Sequence, residues 1–225
     1  SRDWSSDVCS SDLEEKNSRV TLGEEGFIKW IADGIIRPVT GKGTSISKML
    51  APTVDYDPLG KNGVLLTSKN ITLSLDWCRN LATEVLCKKS NKSYTFETGG
   101  IDVRDQPFVA KVMDFGKARN TAGYVKGNGY SIDEIKGLLY VLACSDPGWF
   151  YLGAIRQTSL QDTNVMPFNK CAAFFPYFDQ NGKFVCRIFE QGREITLENF
   201  LNTYNKCFVH FERVRATEYF IPDLQ

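Results

Sequence analysis

Thr72-Leu73-Ser74-Leu75-Asp76-Trp77-Cys78-Arg79-Asn80-Leu81-Ala82-Thr83-Glu84-Val85-Leu86-Cys87-Lys88-Lys89 carries the clearest periodicity in the chain. Leu73, Trp77, Leu81 and Val85 recur at i, i+4, with Cys78 and Ala82 beside them. That spacing puts an apolar stripe along one face of a helix. Lys88 and Lys89 place positive charge at its negative C-terminal end. Ser90-Asn91 then reads as a turn.

Downstream the pattern shortens. Tyr94-Thr95-Phe96 reads as a short strand, Gly99-Gly100 as a tight break, and Ile101-Asp102-Val103 as a second strand. Asp105-Gln106-Pro107 turns the chain into a third strand, Phe108 to Met113. A polar, Gly-rich loop from Gly116 to Tyr130 follows. Ser131-Ile132-Asp133-Glu134 has the S-x-x-E form of a capping box and opens a short helix. Leu138 to Cys144 is continuously apolar and could continue that helix or form a buried strand. The Asp146-Pro147-Gly148 turn before the strand Trp149 to Arg156 favours strand, turn, strand.

The last third is aromatic-rich. Phe174-Phe175 and Tyr177-Phe178 precede a turn at Asp179 to Gly182, and Phe184 to Phe189 is a strand. Thr196 caps a helix, and Phe208 to Val214 either extends it or forms a final strand. Upstream, Phe27 to Ile31 is a short amphipathic run followed by turn-rich sequence, with further turn signals at Asp55 to Gly60 and Lys61 to Gly63. Thr40-Gly41-Lys42-Gly43-Thr44-Ser45 lacks the GxxxxGK[ST] spacing of a phosphate loop and reads as an ordinary loop. The economical architecture is α/β (α+β): one compact domain over residues 71–225, preceded by a loop-rich extension at 14–70. From about residue 157 an aromatic-rich C-terminal elaboration follows.

Composition sets outer bounds. With 225 residues, 42% hydrophobic and 24% charged, the chain has a globular rather than a disordered composition. No apolar run approaches the roughly 20 residues of a membrane helix. The 27 basic and 27 acidic residues cancel, so no global field points to a polyanion. Residues 1–13 stand apart: Asp3 to Leu13 looks like the translation of a sequencing-library adapter, and the segment is left out of the fold reading. It holds one Arg and three Asp, so the remainder has 26 basic and 24 acidic residues and is weakly basic. The remaining six cysteines form no CxxC pair, which disfavours a zinc ribbon and suits buried free thiols in a reducing cytosol. The single histidine, His210, lies between Val209 and Phe211 and reads as a packed, hydrogen-bonded side chain. Catalysis here would have to rest on carboxylates, Lys and a bound metal.

The stretches Leu81 to Leu86, Gly99 to Val103, Phe108 to Val112 and Leu139 to Ile155 resemble, within residues 72–156, the PD-(D/E)xK nuclease superfamily of restriction-type endonucleases. The resemblance implies a mixed sheet flanked by helices and Mg²⁺-dependent cleavage of double-stranded DNA in the cytoplasm, without membrane attachment. It is compatible with a homodimer. Phosphodiester hydrolysis needs a divalent ion to activate water and neutralise the scissile phosphate, and Mg²⁺ takes hard carboxylate oxygens. By the resemblance Asp102 is the metal ligand, Lys111 the catalytic lysine, and Glu84 the helix carboxylate. The acidic residue expected two positions before the lysine is Val109. Glu97 or Asp114 could supply the missing oxygen, Asp133-Glu134-Ile135-Lys136 could be the motif instead, or the site is degenerate. Lys117, Arg119 and Lys126 of the loop, with Lys206, His210, Arg213 and Arg215, are the candidate phosphate contacts. The rival expectation is a non-enzymatic phage or bacterial structural or interaction protein.

Overall fold

The computed structural model describes residues 19–53, 73–104, 123–157 and 168–216, together with the strand segments 13–16, 111–114 and 117–120. For 13–22 and 111–120 it describes backbone pairing alone. The adapter-like Asp3 to Asp12, the turns at 55–63 and 105–107, and Phe108 to Ala110 lie outside the described residues.

The first described elements are a hairpin, β1 (Leu13–Lys16) and β2 (Arg19–Leu22), then α1 (Glu24–Thr40) and α2 (Ile46–Met49). Next come α3 (Leu73–Ser90), α4 (Phe96–Gly99), and a second hairpin, β3 (Lys111–Asp114) and β4 (Lys117–Asn120). The remainder runs β5 (Tyr130–Ser131), α5 (Ile132–Ser145), β6 (Trp149–Arg156), β7 (Phe168–Phe178), β8 (Phe184–Glu190), β9 (Arg193–Ile195), α6 (Leu197–Thr203) and β10 (Phe208–Arg215). The class is mixed α+β.

One six-stranded sheet, in the order β5-β10-β6-β7-β8-β9, organises the molecule. Every described pair in it is antiparallel, where a mixed sheet was expected. The turns at Asp179–Lys183 and Gln191–Gly192 are too short for a parallel crossover, so β7, β8 and β9 must reverse direction at each step. The aromatic last third is not peripheral either, since it supplies four of the six strands.

Alternation along the strands builds a core on each face of the sheet. Phe150, Leu152 and Ala154 of β6 pack with Cys171, Ala173 and Phe175 of β7 against α1 and α3. Tyr151 and Ile155, with Ala172 and Phe174, pack against α5 and α6. Because both faces are covered, these strands read in the sequence as unbroken apolar runs rather than as alternation. Phe174 sits between the rings of Phe200 and Phe211, at 5.1 and 5.0 Å, and Phe150 stacks on Phe175 at 5.0 Å. Gly153 of β6 admits the Phe174 ring, whose Cε2 lies 2.5 Å from where a Cβ would stand.

α3 forms where the periodicity places it, but it is buried almost all round: Ser74, Asp76, Arg79 and Glu84 are buried along with its apolar stripe. α1 runs for seventeen residues, where a short amphipathic run before turns was expected, and Ile28, Ala32 and Ile36 enter the core. The apolar run Leu138 to Cys144 belongs to α5 rather than to a strand. Ile135, Leu138, Leu139 and Leu142 are buried at helical spacing, while Tyr140 faces outward. The helix starts at the expected place but without the capping box. Ser131 makes no side-chain cap and instead pairs as a strand residue with Phe208. Tyr94 to Phe96 is no strand. The Thr95 hydroxyl accepts from the Thr98 amide and the Thr98 hydroxyl from the Thr95 amide, closing a capping box that starts α4. The loop expected from Gly116 to Tyr130 contains β4.

Carboxylates on α1 and α3 fasten the segment between the two helices. Asp33 accepts from the Thr44 amide and hydroxyl at 2.7 and 2.8 Å, and Asp76 does the same for Thr53 at 2.7 Å each. The Ser45 amide donates to both oxygens of Glu84 at 3.1 and 3.0 Å. Thr40 closes α1 and Gly41 to Ser45 is an ordinary loop, two of whose amides are spent on carboxylates of this chain rather than presented to a phosphate.

Gly129 precedes β5 with φ of +95°, and a Cβ there would lie 2.2 Å from the Val209 carbonyl oxygen. Substituting Gly129→Ala should cost about 2 kcal/mol or more, from the backbone strain alone before the clash is counted. Urea denaturation of the two proteins checks this.

Candidate functional site

A cluster of ionisable side chains lies where α3 meets β10. Residues 101–103 run along the edge of β10: the Val103 amide donates to the Phe211 carbonyl at 2.9 Å, and the Arg213 amide to the Ile101 carbonyl at 2.8 Å. The expected second strand is therefore a single bridge, Asp102 opposite Glu212. His210 lies two residues before Glu212 and shares its face. Register alone thus sets two carboxylates and an imidazole side by side beneath α3. Like charges directly opposite on a sheet repel. α3 supplies the compensation as Arg79, and the neighbouring Arg104 adds a second guanidinium.

Arg79 is fully buried. Its Nε and Nη2 donate to the two oxygens of Asp102 at 3.3 and 2.8 Å, and its Nη1 to the Thr53 carbonyl at 2.6 Å. Its guanidinium also lies 4.7 Å over the Phe96 ring. Arg104 Nε donates to Asp102 Oδ2 at 2.9 Å, and its Nη2 reaches the same oxygen. His210 Nε2 lies 3.3 Å from Arg79 Nη2 and 2.9 Å from the Tyr124 hydroxyl, and its Nδ1 lies 2.7 Å from Glu212 Oε1. Arg is a donor only, so in a hydrogen bond with Arg79 Nε2 accepts, and the proton of a neutral ring then sits on Nδ1, facing Glu212. His210 is the packed, hydrogen-bonded side chain expected from its surroundings.

Asp102, His210 and Glu212 each offer a ligand atom, all within 4.8 Å of one another. A divalent ion shared by Asp102 and His210 would need the place held by Arg79 Nη2, which bonds Asp102 Oδ2 and lies against His210 Nε2. Mg²⁺ also demands a near-octahedral oxygen shell and keeps several waters. Here one of three donors is an imidazole nitrogen, and both Asp102 oxygens face guanidinium groups. As arranged, the donor set does not fit Mg²⁺.

The other sequence-derived site residues are scattered. Glu84 is buried, tied to the Ser45 amide, with Lys88 and Lys48 Nζ at 3.6 and 3.9 Å. Among the described residues no hydrogen bond or ion pair joins it to Asp102. Glu97 is exposed in the first turn of α4. Lys111 and Asp114 lie on β3, and Lys117 and Arg119 on β4, in a two-stranded sheet separate from the six-stranded one. Their side chains are outside the described residues. The strand of Lys111 pairs with 117–120 and the Asp102 segment with β10, so the two do not lie on paired strands. Asp133 is exposed and Glu134 buried in the first turn of α5. Lys126 is exposed in the turn before β5, Lys206 has a positive φ of 67° after α6, and Arg213 and Arg215 stand near the end of β10.

Sequence reasoning missed Arg79, Arg104, Tyr124 and Glu212. A signal was present for Glu212. Val209-His210-Phe211-Glu212 alternates apolar and polar residues, which in a strand buried on both faces sets His210 and Glu212 together. Arg79 interrupts the buried α3 surface, but nothing local announces its partner 23 residues away.

The thiols offer no alternative nucleophile in this region. Cys78 and Cys171 are fully buried, and that burial, reinforced for Cys78 by its contact with Cys171, pushes both thiols up. Burial raises Cys186 as well. All six described cysteines are free, and Cys144 is exposed. Iodoacetamide at pH 8 should therefore label Cys144 first and leave Cys78 and Cys171 unmodified until the protein unfolds. Peptide mass spectrometry over a time course reads the order.

Arg79→Met would leave Asp102 and Glu212 with less compensation in a buried setting, and should cost about 3–5 kcal/mol in urea denaturation. Adding Asp102→Asn to that variant should return at least ~1 kcal/mol, because one stranded charge is gone.

Neither a family model nor a curated protein nor a solved structure matches this chain.

Proposed function

We propose that this protein acts by binding rather than by catalysis, and that the Arg79–Asp102–His210–Glu212 cluster is a structural polar core. The observation that carries the reading is the double occupation of Asp102: Arg79 donates to both of its oxygens, and Arg104 shares Oδ2. A carboxylate so engaged has little left with which to bind a metal ion. The imidazole is buried and aligned by Glu212, so it joins β10 to α3 and to Tyr124 rather than facing solvent. Glu84, the helix carboxylate of the nuclease pattern, serves as an amide acceptor for the α2 segment. Among the described residues no helix is long and apolar enough to cross a membrane.

A second reading keeps the restriction-type nuclease, with Lys111 brought to Asp102 and a divalent ion in place of Arg79. The proximity of the three ligand atoms of Asp102, His210 and Glu212 favours it. One assay separates the two. Supercoiled plasmid is incubated with the full chain in Mg²⁺ or Mn²⁺, with EDTA controls and an Asp102→Asn variant. Binding without chemistry leaves the plasmid supercoiled in every lane. Metal-dependent nicking that disappears in Asp102→Asn would sink the structural reading of the cluster.

A further inference from the structure

α1 is apolar on two opposite sides. Ile28, Ala32 and Ile36 enter the core, which is the one apolar face a surface helix needs. The other side carries Trp30, Gly34 and Pro38, spaced four residues apart and all exposed. Trp30, at 58%, is the most exposed large apolar side chain among the described residues. A notch of about 440 Å³ opens beside its ring, lined also by Asp33, Gly34, Arg37 and Pro38. The charged groups there are turned aside: Arg37 Nη2 and Asp33 Oδ2 lie 2.8 and 3.0 Å from where a Cβ on Gly43 would stand. We propose that this face is a homodimer contact, in which a second copy of the chain lays its α1 antiparallel across the first and each Trp30 indole seats in the notch at the other copy's Gly34. The inference goes beyond the reading of the Asp102 cluster and does not depend on it.

Gly34 is the informative residue. It lies inside a seventeen-residue helix, where glycine is destabilising relative to alanine. A Cβ at that position would meet nothing within 4 Å, so the chain's own packing does not call for glycine. A second helix does, because a bare backbone lets two axes approach to the near end of the usual range of about 8–10 Å. Pro38 adds an acceptor: it has no amide hydrogen, so the Gly34 carbonyl lacks its usual i+4 donor. The indole N–H is a donor that needs a partner once it is covered. Knob and notch stand on one face, four residues or about 6 Å apart along the helix. A two-fold axis midway between them sets Trp30 of each copy against Gly34 of the other, so the same contact is made twice. Phe27 stacks on Trp30 at 6.2 Å and an interplanar angle of 12°, which orders the indole before it docks and lowers the entropy lost on association. The 27 basic and 27 acidic residues cancel, so two copies meet without net repulsion. The stripe from Phe27 to Pro38 is only about 17 Å long and a helix about 10 Å across, which places the contact among small, weak interfaces of under about 1,200 Å² in total.

Sedimentation velocity of the full chain over a concentration series from about 1 to about 200 µM tests the contact, and the dimer should form with a Kd on the order of 10 µM. Trp30→Gln removes the knob and should weaken dimerisation by about tenfold or more. Gly34→Gln fills the notch and should weaken it as much. The same variant should raise the melting temperature at about 1 µM, where the chain is monomeric, because glutamine favours a helix over glycine. Those opposite movements separate loss of the contact from loss of the fold. Tyr140→Gln, at an exposed aromatic on α5, should leave the Kd unchanged. A chain that stays monomeric up to about 200 µM overturns the proposal and assigns the face to another protein or to a segment of the same chain. A dimer that survives Trp30→Gln or Gly34→Gln undiminished, or that Tyr140→Gln weakens equally, overturns it too. Plasmid nicking speaks to the Asp102 cluster and sedimentation speaks to α1, so the two readings can fail separately.

Discussion

The Arg79 guanidinium is the constraint around which the rest of the molecule is arranged. It leaves the most buried helix and reaches three parts of the chain at once: the Thr53 carbonyl, both oxygens of Asp102, and the ring nitrogen of His210. A buried cation cannot be left without acceptors, since the desolvation cost is several kcal/mol per ion. The segment before α3, the stretch after α4 and the last strand must therefore converge on it. The convergence fixes how α3 lies on the sheet, and with it which face of β10 is polar.

That polar face would be unfavourable by itself. Asp102 and Glu212 are bridge partners, and the register that pairs them sets two carboxylates side by side. The arginines and the imidazole resolve the conflict by distributing donors over both acids. Such an arrangement contributes little net stability compared with an apolar core of the same volume, yet any single deletion is costly because it strands the others. The asymmetry explains why a cluster with the inventory of a hydrolytic site can serve as a fastening. What distinguishes the two is whether an oxygen or nitrogen remains to meet a substrate, and Asp102 is engaged on both oxygens.

The same logic recurs on a smaller scale along α1 and α3. Asp33, Asp76 and Glu84 accept from the amides of Thr44, Thr53 and Ser45. Three acids on two helices thus fasten residues 41–53, which carry one short helix. Read from the sequence, Glu84 matched a catalytic helix carboxylate because its spacing and residue type were right. Its partner was invisible, because an amide 39 residues earlier leaves no trace in local pattern.

The sequence by itself determined the helix at α3, the strands β6 and β8, the turn at Asp179 and the Thr196 cap, since each rests on contacts within a few residues. It also marked Asp102, beside Glu84 and Lys111, as an ionisable residue to watch, and read His210 as a packed side chain. It misread Leu138 to Cys144 and Tyr94 to Phe96. An apolar run buried at helical spacing looks like a strand when its partners are unknown, and a Thr-to-Thr capping box carries no hydrophobic signal. Only the tertiary structure decided that the sheet is antiparallel, and that Asp102 meets Arg79 and Arg104 rather than a strand bearing Lys111. Those outcomes depend on register and on long-range pairing. A shift of one residue in β10 would turn His210 and Glu212 to the opposite face without changing a single local preference.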